Sequence, residues 1–286
     1  MKVLKNPRVM MILAVAMFGT LGPLVRNIPV TSGELALYRA VMASVLLGAF
    51  LLISKSPLQL GKIRKELPLL LLSGAAIGLN WILLFEAYRY TTISVATLSY
   101  YAAPVLVTLA CPLLFRERMG RKQWICFAMS TFGIVLITGF DAAAGNSHFT
   151  GILFGLGAAV LYAGVILSNK FIRGVSGIQR TFLQFLAATA VLIPYVACTD
   201  ATGLSGLDMT GWGCLLTVGI IHTGVTYCLY FSALEHLSGQ ETAILSYVDP
   251  LVAVFLSFFV LGEPITLTQI LGGGLILGFT LWNEIG

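Results

Sequence analysis

Ten long apolar stretches follow one another along the chain, separated only by short polar segments, and this feature limits the possible folds most strongly. An α-helix rises about 1.5 Å per residue, so roughly 20 apolar residues cross the ~30 Å hydrocarbon core of a bilayer. The stretches cover residues 9–26, 35–53, 67–88, 93–115, 123–140, 150–170, 181–199, 211–234, 241–261 and 267–284. They predict an all-α membrane protein with ten transmembrane helices.

The composition fits a chain that is surrounded by lipid. Apolar and aromatic residues make up 58% of the 286 residues and charged residues only 10%, whereas soluble domains average about 25% charged residues. Too little polar surface remains to cover a water-soluble globule of this size. The five cysteines and three histidines lack the spacing of metal ligands, so we expect no cofactor. The lipid bilayer is the expected partner.

The Lys and Arg residues indicate the orientation, because cytoplasmic loops retain them. With the N-terminus inside, fourteen of the seventeen fall in cytoplasmic segments, Arg26 and Arg89 fall in outer segments, and Arg39 lies within the second span. Both termini are therefore predicted to be cytoplasmic. These loop residues also account for the net charge of +5, so we expect no nucleic-acid binding.

An internal repeat divides the chain into two halves. A shift of 146 positions superimposes Phe85, Ala87, Tyr101, Pro104 and Glu117 on Phe231, Ala233, Tyr247, Pro250 and Glu263. A shift of 144 positions pairs Phe18 and Arg26 with Tyr162 and Lys170. Five spans per half is an odd number, so the second half must enter the membrane upside down, as in many secondary transporters. We expect one membrane domain built from a five-helix repeat, 1–143, and an inverted five-helix repeat, 144–286.

Several segments carry a resemblance to a known family. They are Phe18-Gly19, Arg39 within ELALYRA, and the pair ATLSYYAAPVLVTLACPLLFRERMGRKQWICFAMSTFGIVLITG and AILSYVDPLVAVFLSFFVLGEPITLTQILGGGLILG. Each of the pair has a small-residue start, a mid-span proline, a terminal glutamate and a last helix containing glycine. This order resembles the EamA type of the drug/metabolite transporter superfamily. The resemblance implies two five-helix repeats and alternating-access export or exchange of amino acids, nucleotide-type metabolites, sugars or cationic drugs in the plasma membrane.

Two ionisable residues lie deep within predicted spans. Asp249 is eight residues into the ninth span, next to helix-breaking Pro250, and His222 lies at similar depth in the eighth span. An ionisable group inside a bilayer costs at least ~2.5 kcal/mol by insertion scales, so we expect a role for each. Either residue could bind substrate or exchange a proton, which makes protons a candidate coupling ion. A structural partnership with neighbouring polar groups remains the alternative for both.

Aromatic and amide side chains also lie at membrane depth and not at the interfaces. They are Asn80, Trp81, Tyr100, Tyr101, Tyr162, Tyr227 and Tyr247. Together with Asp249 they could hold an organic cation through cation–π contacts or stack on an aromatic substrate, whereas each ring alone could serve helix packing. We predict a substrate site formed by these residues, Asp249 and His222.

Arg39 and Glu86 are both expected about one turn below the outer surface. They could pair with each other, form an outer gate or meet a charge on the substrate. Arg89 follows Glu86 by three residues on the same helical face, so an ion pair between these two is the competing interpretation.

The favoured function is a secondary transporter that exports an amino acid or related amphiphile by alternating access, with protons as a possible coupling ion. A transporter of choline-like or other organic cations is the alternative. A membrane-embedded enzyme is a different class, but the chain has no H-x-x-x-D, H-E-x-x-H or G-x-S-x-G pattern, so we expect no enzymatic activity. No repeated channel filter or phosphate-binding motif is evident either.

Overall fold

The structure, a computed structural model, describes residues 6–54, 60–115, 120–139, 145–172, 174–175, 177–199, 203–234, 236–237, 245–246 and 248–284. Its α-helices are α1 (Pro7–Gly19), α2 (Leu21–Arg26), α3 (Ser32–Ile53), α4 (Leu60–Tyr90), α5 (Ile93–Tyr100), α6 (Ala103–Phe115), α7 (Arg121–Gly139), α8 (Gly145–Phe171), α9 (Gly177–Cys198), α10 (Met209–Leu216), α11 (Thr226–Leu234), α12 (Val248–Phe259) and α13 (Leu267–Glu284). A π-helical stretch, Thr217–Val225, joins α10 to α11 and is called the π segment below. Every regular element in these ranges is helical, which confirms the predicted all-α class.

Six helical stretches are long and apolar enough to cross a bilayer. They are Pro7–Arg26, Ser32–Ile53, Ile63–Tyr90, Ser147–Asn169, Gly177–Cys198 and Met209–Tyr230. Two shorter apolar stretches, Ile93–Val107 and Val248–Phe259, lie in the predicted fourth and ninth spans. The chain is therefore a multi-pass helical membrane protein.

The predicted first and fourth spans are each interrupted. The first breaks at Thr20, between α1 and α2, and the fourth breaks after Tyr100, between α5 and α6. Proline explains both positions, because Pro23 and Pro104 have no N–H to donate to the carbonyl groups four residues earlier. Each proline lies in the first turn of the following helix, where a missing N–H is tolerated.

The π segment interrupts the predicted eighth span, and its side chains favour the wider turn. Two of them, and that of Thr226 at the start of α11, lie within hydrogen-bond distance of the carbonyl oxygen five residues earlier. Thr223 Oγ1 donates to Val218 at 2.8 Å, Thr226 Oγ1 donates to Ile221 at 2.8 Å, and His222 Nδ1 lies 3.3 Å from the Thr217 oxygen. Such back-bonding competes with regular helical bonds. π-Helical turns are rare and occur frequently at functional sites.

Helix contacts cross between the two halves of the chain. The helix α4 packs against α8 and α9, α3 against α9 and the π segment, α1 against α11 and α12, and α7 against α13. Small residues permit this, since a Cβ atom at Gly74 would lie 2.5 Å from the Gln184 carbonyl oxygen on α9. Leu52, Ile53 and Phe259 are exposed on the outside, as lipid-facing residues are.

Candidate functional site

Arg39 is a buried cation in the interior of the helix assembly. It projects from α3, whose start is fixed by a capping box between Thr31 and Glu34. Only 3% of Arg39 is exposed. Its Nε donates to Thr223 Oγ1 at 2.9 Å, and its guanidinium carbon lies 4.4 Å from the ring centroid of Trp81. No described residue hydrogen-bonds or forms an ion pair with its two terminal nitrogens.

Arg39 and Glu86 do not form an ion pair in the structure. Glu86 Oε1 lies 3.2 Å from Nη1 of Arg89, so the competing surface ion pair is the one that forms. The two residues share one helical face because they are three positions apart on α4. Arg39, in contrast, turns towards Thr223 and lies over the Trp81 and Phe85 rings. A role for Arg39 or Glu86 in gating stays a prediction.

Asp249 lies at the start of α12, where Tyr101 contacts it. Tyr101 Oη lies 3.0 Å from Asp249 Oδ2 and 3.1 Å from the Ser246 carbonyl oxygen, and the hydroxyl can donate to either. Ser246 is the residue four positions before Pro250, which has no N–H to donate to that carbonyl. Tyr101 therefore supplies the hydrogen-bond donor that the proline lacks, and it places the same hydroxyl against the carboxylate.

Aromatic rings form two series, and the second of them ends at an exposed ring, Tyr162. In the first, centroid distances are 5.2 Å for Trp81–Phe185, 5.3 Å for Phe185–Tyr227, 5.2 Å for Tyr227–Phe18 and 6.2 Å for Phe18–Tyr230. In the second, they are 6.4 Å for Tyr101–Tyr100 and 5.3 Å for Tyr100–Tyr162. The first series starts at the ring below Arg39, and the second starts at the tyrosine bonded to Asp249. Tyr247, which was predicted to belong to the site, lies outside the described residues.

Arg39 and Asp249 act on the same tyrosines without contacting each other. Tyr227 and Tyr88 lie within electrostatic range of both charges. No ion pair joins Arg39 to a carboxylate in the described part of the chain. The helix assembly therefore holds a positive and a negative group, one from each half of the chain, that share tyrosine neighbours.

Asn80 joins α4 to α8. Its Nδ2 donates to the Ala158 carbonyl oxygen at 2.6 Å, and its side chain lies near Tyr100. Asn80 is buried. Its contacts assign it a supporting position beside the second ring series.

His222 lies in the π segment with both ring nitrogens facing polar atoms of the protein. Nε2 lies 2.6 Å from Thr20 Oγ1, at the break between α1 and α2, and Nδ1 lies 3.3 Å from the Thr217 carbonyl oxygen. The residue is buried. His222 therefore connects the break between α1 and α2 to the π segment.

A cavity of about 590 Å³ opens beside the end of α4. Its lining residues are Val25, Arg26, Ile28, Pro29, Val30, Thr31, Ser32, Leu35, Phe85, Tyr88 and Arg89. Leu35 lies one helical turn before Arg39, and the Phe85 ring lies 5.9 Å from the Arg39 guanidinium. The cavity floor is therefore adjacent to the buried cation.

Sequence reasoning missed an ion pair that joins the two halves. Arg26 Nη1 lies 2.6 Å from Glu263 Oε1, and Arg26 also donates to the Thr91 carbonyl oxygen at 3.0 Å. The other oxygen of Glu263 accepts from the Ile93 N–H at 2.9 Å, at the start of α5, and from the Ser257 hydroxyl. The internal repeat marked Glu263 only as the glutamate that ends an apolar stretch, and no sequence feature paired it with Arg26.

These features define a helical multi-pass membrane protein whose interior carries buried charges and tyrosines. The EamA-like transporter family matches residues 8–139 and, a second time, residues 149–283. The chain belongs to the EamA-like transporter family, which confirms the resemblance seen in its segments, and it is a membrane transporter.

Relatives and a solved structure agree with this assignment. The chain is 29% identical over 264 residues to the "Uncharacterized transporter YxxF" of Bacillus subtilis strain 168, covering 92% of this chain and 84% of the relative. It is 26% identical over 227 residues to the "Uncharacterized inner membrane transporter YhbE" of Escherichia coli K12, covering 77% and 70%. A crystal structure of another protein superimposes with a TM-score of 0.67 at 17% identity, covering 96% of this chain and 95% of the other, and shows a shared fold.

Proposed function

We propose that the chain is a secondary transporter that binds a zwitterionic metabolite, an amino acid or related amphiphile, and exports it by alternating access. The observation that carries the proposal is the pair Arg39 and Asp249. Arg39 is buried and Asp249 is half-buried; both lie within electrostatic range of Tyr88 and Tyr227, and they are not paired with each other.

A zwitterion carries a partner for each of the two charges. Guanidinium groups bind carboxylates through two parallel hydrogen bonds, and no described residue occupies the terminal nitrogens of Arg39. Asp249 offers a carboxylate to an ammonium group, with Tyr101 in contact. Charges away from water are costly without partners, so a ligand that brings both opposite charges is favoured. The tyrosines near both groups suit an amphiphilic side chain.

An organic cation is the second candidate. Tyr101 touches Asp249, and Tyr100 and Tyr162 continue the same ring series, which resembles part of an aromatic cage. Arg39 disfavours this candidate, because a second cation acting on the same tyrosines repels a ligand that brings only positive charge.

The proposed architecture is ten transmembrane helices in two inverted repeats, residues 1–143 and 144–286. Two separate matches to the family support it. The helix contacts have the same symmetry: each contact has an equivalent in which every helix is replaced by its counterpart in the other half. The α4–α8 contact corresponds to α1–α11, the α4–α9 contact to that of α3 with the π segment, and the α5–α8 contact to α1–α12. Such symmetry suits a site at the interface of the repeats, with access alternating as they rock.

We place the protein in the plasma (inner) membrane with both termini in the cytoplasm. The distribution of Lys and Arg supports this orientation, and the name of the Escherichia coli relative refers to an inner membrane transporter. The cavity beside the end of α4 then faces the outside and offers a route to Arg39.

Flux into and out of proteoliposomes tests the proposal. The panel consists of amino acids, choline, and for each transported amino acid the amine that lacks its carboxylate and the acid that lacks its ammonium group. We expect the amino acid to be preferred over both analogues. Arg39→Gln and Asp249→Asn each remove one charge-assisted contact, so binding should weaken roughly 10- to 100-fold. Repeating the assay with a pH gradient measures proton coupling.

Arg121→Gln at the exposed start of α7 is the control, because it removes an arginine outside the site. Its flux should equal that of the unmodified protein. Amino acid transport that is unchanged in correctly folded Arg39→Gln, or a panel in which only choline is transported, would overturn the zwitterion assignment.

A further inference from the structure

His222 and Thr20 meet where two irregular helices touch. Thr20 ends α1 and precedes α2, and His222 belongs to the π segment. Three contacts define the pair: His222 Nε2 to Thr20 Oγ1 at 2.6 Å, His222 Nδ1 to the Thr217 carbonyl oxygen at 3.3 Å, and Thr20 Oγ1 to the Met17 carbonyl oxygen at 2.8 Å. A carbonyl oxygen can only accept, so the two carbonyl groups restrict where the hydrogens lie.

In the neutral imidazole, only one tautomer gives both ring nitrogens a suitable hydrogen-bond partner. Nδ1 must carry the hydrogen, since an unprotonated Nδ1 would place two acceptors face to face at the Thr217 oxygen. Nε2 is then an acceptor, and the Thr20 hydroxyl donates to it. The opposite tautomer loses the contact with Thr217.

The protonated ring also has a hydrogen-bond partner for each nitrogen. Both nitrogens then donate, Nδ1 to the Thr217 oxygen and Nε2 to Thr20 Oγ1. The Thr20 hydroxyl hydrogen rotates to the Met17 oxygen, which already lies at 2.8 Å. One proton is added, one hydroxyl turns, and every polar atom keeps a partner.

We infer that His222 and Thr20 form a proton-binding site, with Thr20 as the positioning residue that accepts from the charged ring and donates to the neutral one. The inference rests on the proposed function, to which it adds the residue that carries the coupled proton. It also replaces the predicted role of His222 as a direct substrate ligand, because both ring nitrogens are occupied by Thr20 and Thr217.

The charges around His222 connect this site to Arg39. Titratable groups on the helices packed against the π segment are Arg26 on α2, Glu34, Tyr38 and Arg39 on α3, Cys214 on α10, and Tyr227, Cys228 and Tyr230 on α11. Among these, Arg39 acts electrostatically on His222. Two cations repel each other, so a substrate carboxylate bound to Arg39 favours a proton on His222.

The reciprocal effect follows from linkage: a proton on His222 favours the carboxylate at Arg39. Substrate and proton are therefore loaded together and cross in the same direction. Export of a metabolite that accumulates in the cell would then release a proton with it.

Nitrogen NMR of the complete, purified protein labelled with ¹⁵N-histidine tests the site without any substrate. The chain has three histidines, so in the double variant His148→Gln, His236→Gln the only histidine signals come from His222. At about pH 8 we expect hydrogen on Nδ1 and none on Nε2, and by about pH 5 we expect hydrogen on both. A neutral ring with hydrogen on Nε2, or a ring that gains no second hydrogen, overturns the inference.

Thr20→Val tests the positioning role, because valine keeps the shape of threonine and removes its hydroxyl. At about pH 8 we expect the hydrogen to stay on Nδ1, because the Thr217 carbonyl oxygen is unchanged, and at about pH 5 we expect loss of the second N–H, because Nε2 has lost its acceptor. Thr20→Ser keeps the hydroxyl and should restore the behaviour of the unmodified protein. Thr189→Val, which removes a similar hydroxyl on α9, is the matched control and should change nothing.

Identical His222 signals in correctly folded Thr20→Val and the unmodified protein would show that Thr20 has no positioning role. The outcome is independent of the flux assays. A chain that transports amino acids without a titrating His222 retains the proposed function and loses this inference.

Discussion

A single hydroxyl group on Tyr101 lies against two acceptors, the Asp249 carboxylate and the Ser246 carbonyl oxygen. Its one hydrogen is shared between an acidic side chain and a carbonyl that proline leaves without its helical donor. Tyr101 therefore affects both the charge in the site and the start of α12.

Tyr101→Phe should lower the free energy of unfolding by about 1–3 kcal/mol, because it removes a hydrogen bond to the half-buried Asp249 carboxylate. Substrate flux should fall as well, since Asp249 loses the group that orients it. Thermal unfolding in detergent and proteoliposome flux measure the two effects. Tyr90→Phe, at a half-exposed ring packed on Phe154, is the matched control and should leave both values unchanged.

If Tyr101→Phe and Tyr90→Phe had equal effects, Tyr101 would have no specific role in the site. Loss of flux without loss of stability would show that the hydroxyl acts on Asp249 alone.

Among single residues, the sequence could predict only those whose type is rare inside membrane spans. Charged residues within spans are few, so Arg39 and Asp249 stood out, and both lie within electrostatic range of Tyr227. Thr20, Thr223 and Phe185 belong to types that are common in apolar helices. They could not be selected from the sequence, because only their neighbours in space distinguish them.

The ion pair between Arg26 and Glu263 joins four elements. Arg26 ends α2 and donates to a carbonyl just beyond α4, while Glu263 follows α12 and accepts from the first N–H of α5. A carboxylate at a helix N-terminus and a cation at a helix C-terminus are both favoured by the helix dipole. The pair therefore connects the two halves at one end of the assembly.

Glu263→Gln should lower the free energy of unfolding by about 1–3 kcal/mol, since it removes a charge from a largely buried pair. Glu263 is 7% exposed, but Arg26 is 37% exposed, and solvent screening keeps the effect below that of a fully buried pair. Glu86→Gln is the matched control, because its partner Arg89 is 60% exposed. It should change stability by less than about 0.5 kcal/mol.

Thermal denaturation in detergent at two salt concentrations distinguishes the variants. If Glu263→Gln is as stable as the unmodified protein, the pair does not hold the halves together.

The lengths of the apolar stretches predicted the positions of the helices but not the points at which the helices are interrupted. The interruptions at Thr20, after Tyr100 and in the π segment all lie inside stretches of unbroken hydropathy. Pro23 and Pro104 mark two of them in the sequence. The third depends on back-bonding by His222, Thr223 and Thr226, which a hydropathy pattern does not record.

For the whole molecule, composition was the strongest guide. A chain with 10% charged residues has no means of covering itself with polar surface, so its multi-pass class followed before any motif was considered. The pairing of helices across the halves could not be predicted in the same way. It depends on which small residues, such as Gly74 and Gly133, face a backbone on another helix.

Single cysteines introduced into a chain whose five native cysteines are replaced should report the orientation. Ser205→Cys, between α9 and α10, should react with a membrane-impermeant maleimide on intact cells, because that segment is proposed to lie outside. Gly120→Cys, before α7, should react only after the membrane is opened. Both positions are exposed, so burial does not limit the reaction.

Labelling of Gly120→Cys on intact cells would contradict the proposed orientation. Labelling of both on the same side would contradict the inverted repeat.

A π turn holds one residue more than an α turn, so the π segment can change its length without moving its surroundings. Loss of a single codon within Thr217–Val225 would let a turn close as regular α-helix, whereas the same loss inside an α-helix would rotate everything after it by about 100°. Tyr227 and Tyr230 would then keep their places beside Phe18. Deletion of one residue is thus a way to alter the segment that carries His222 while the rings beyond it stay where they are.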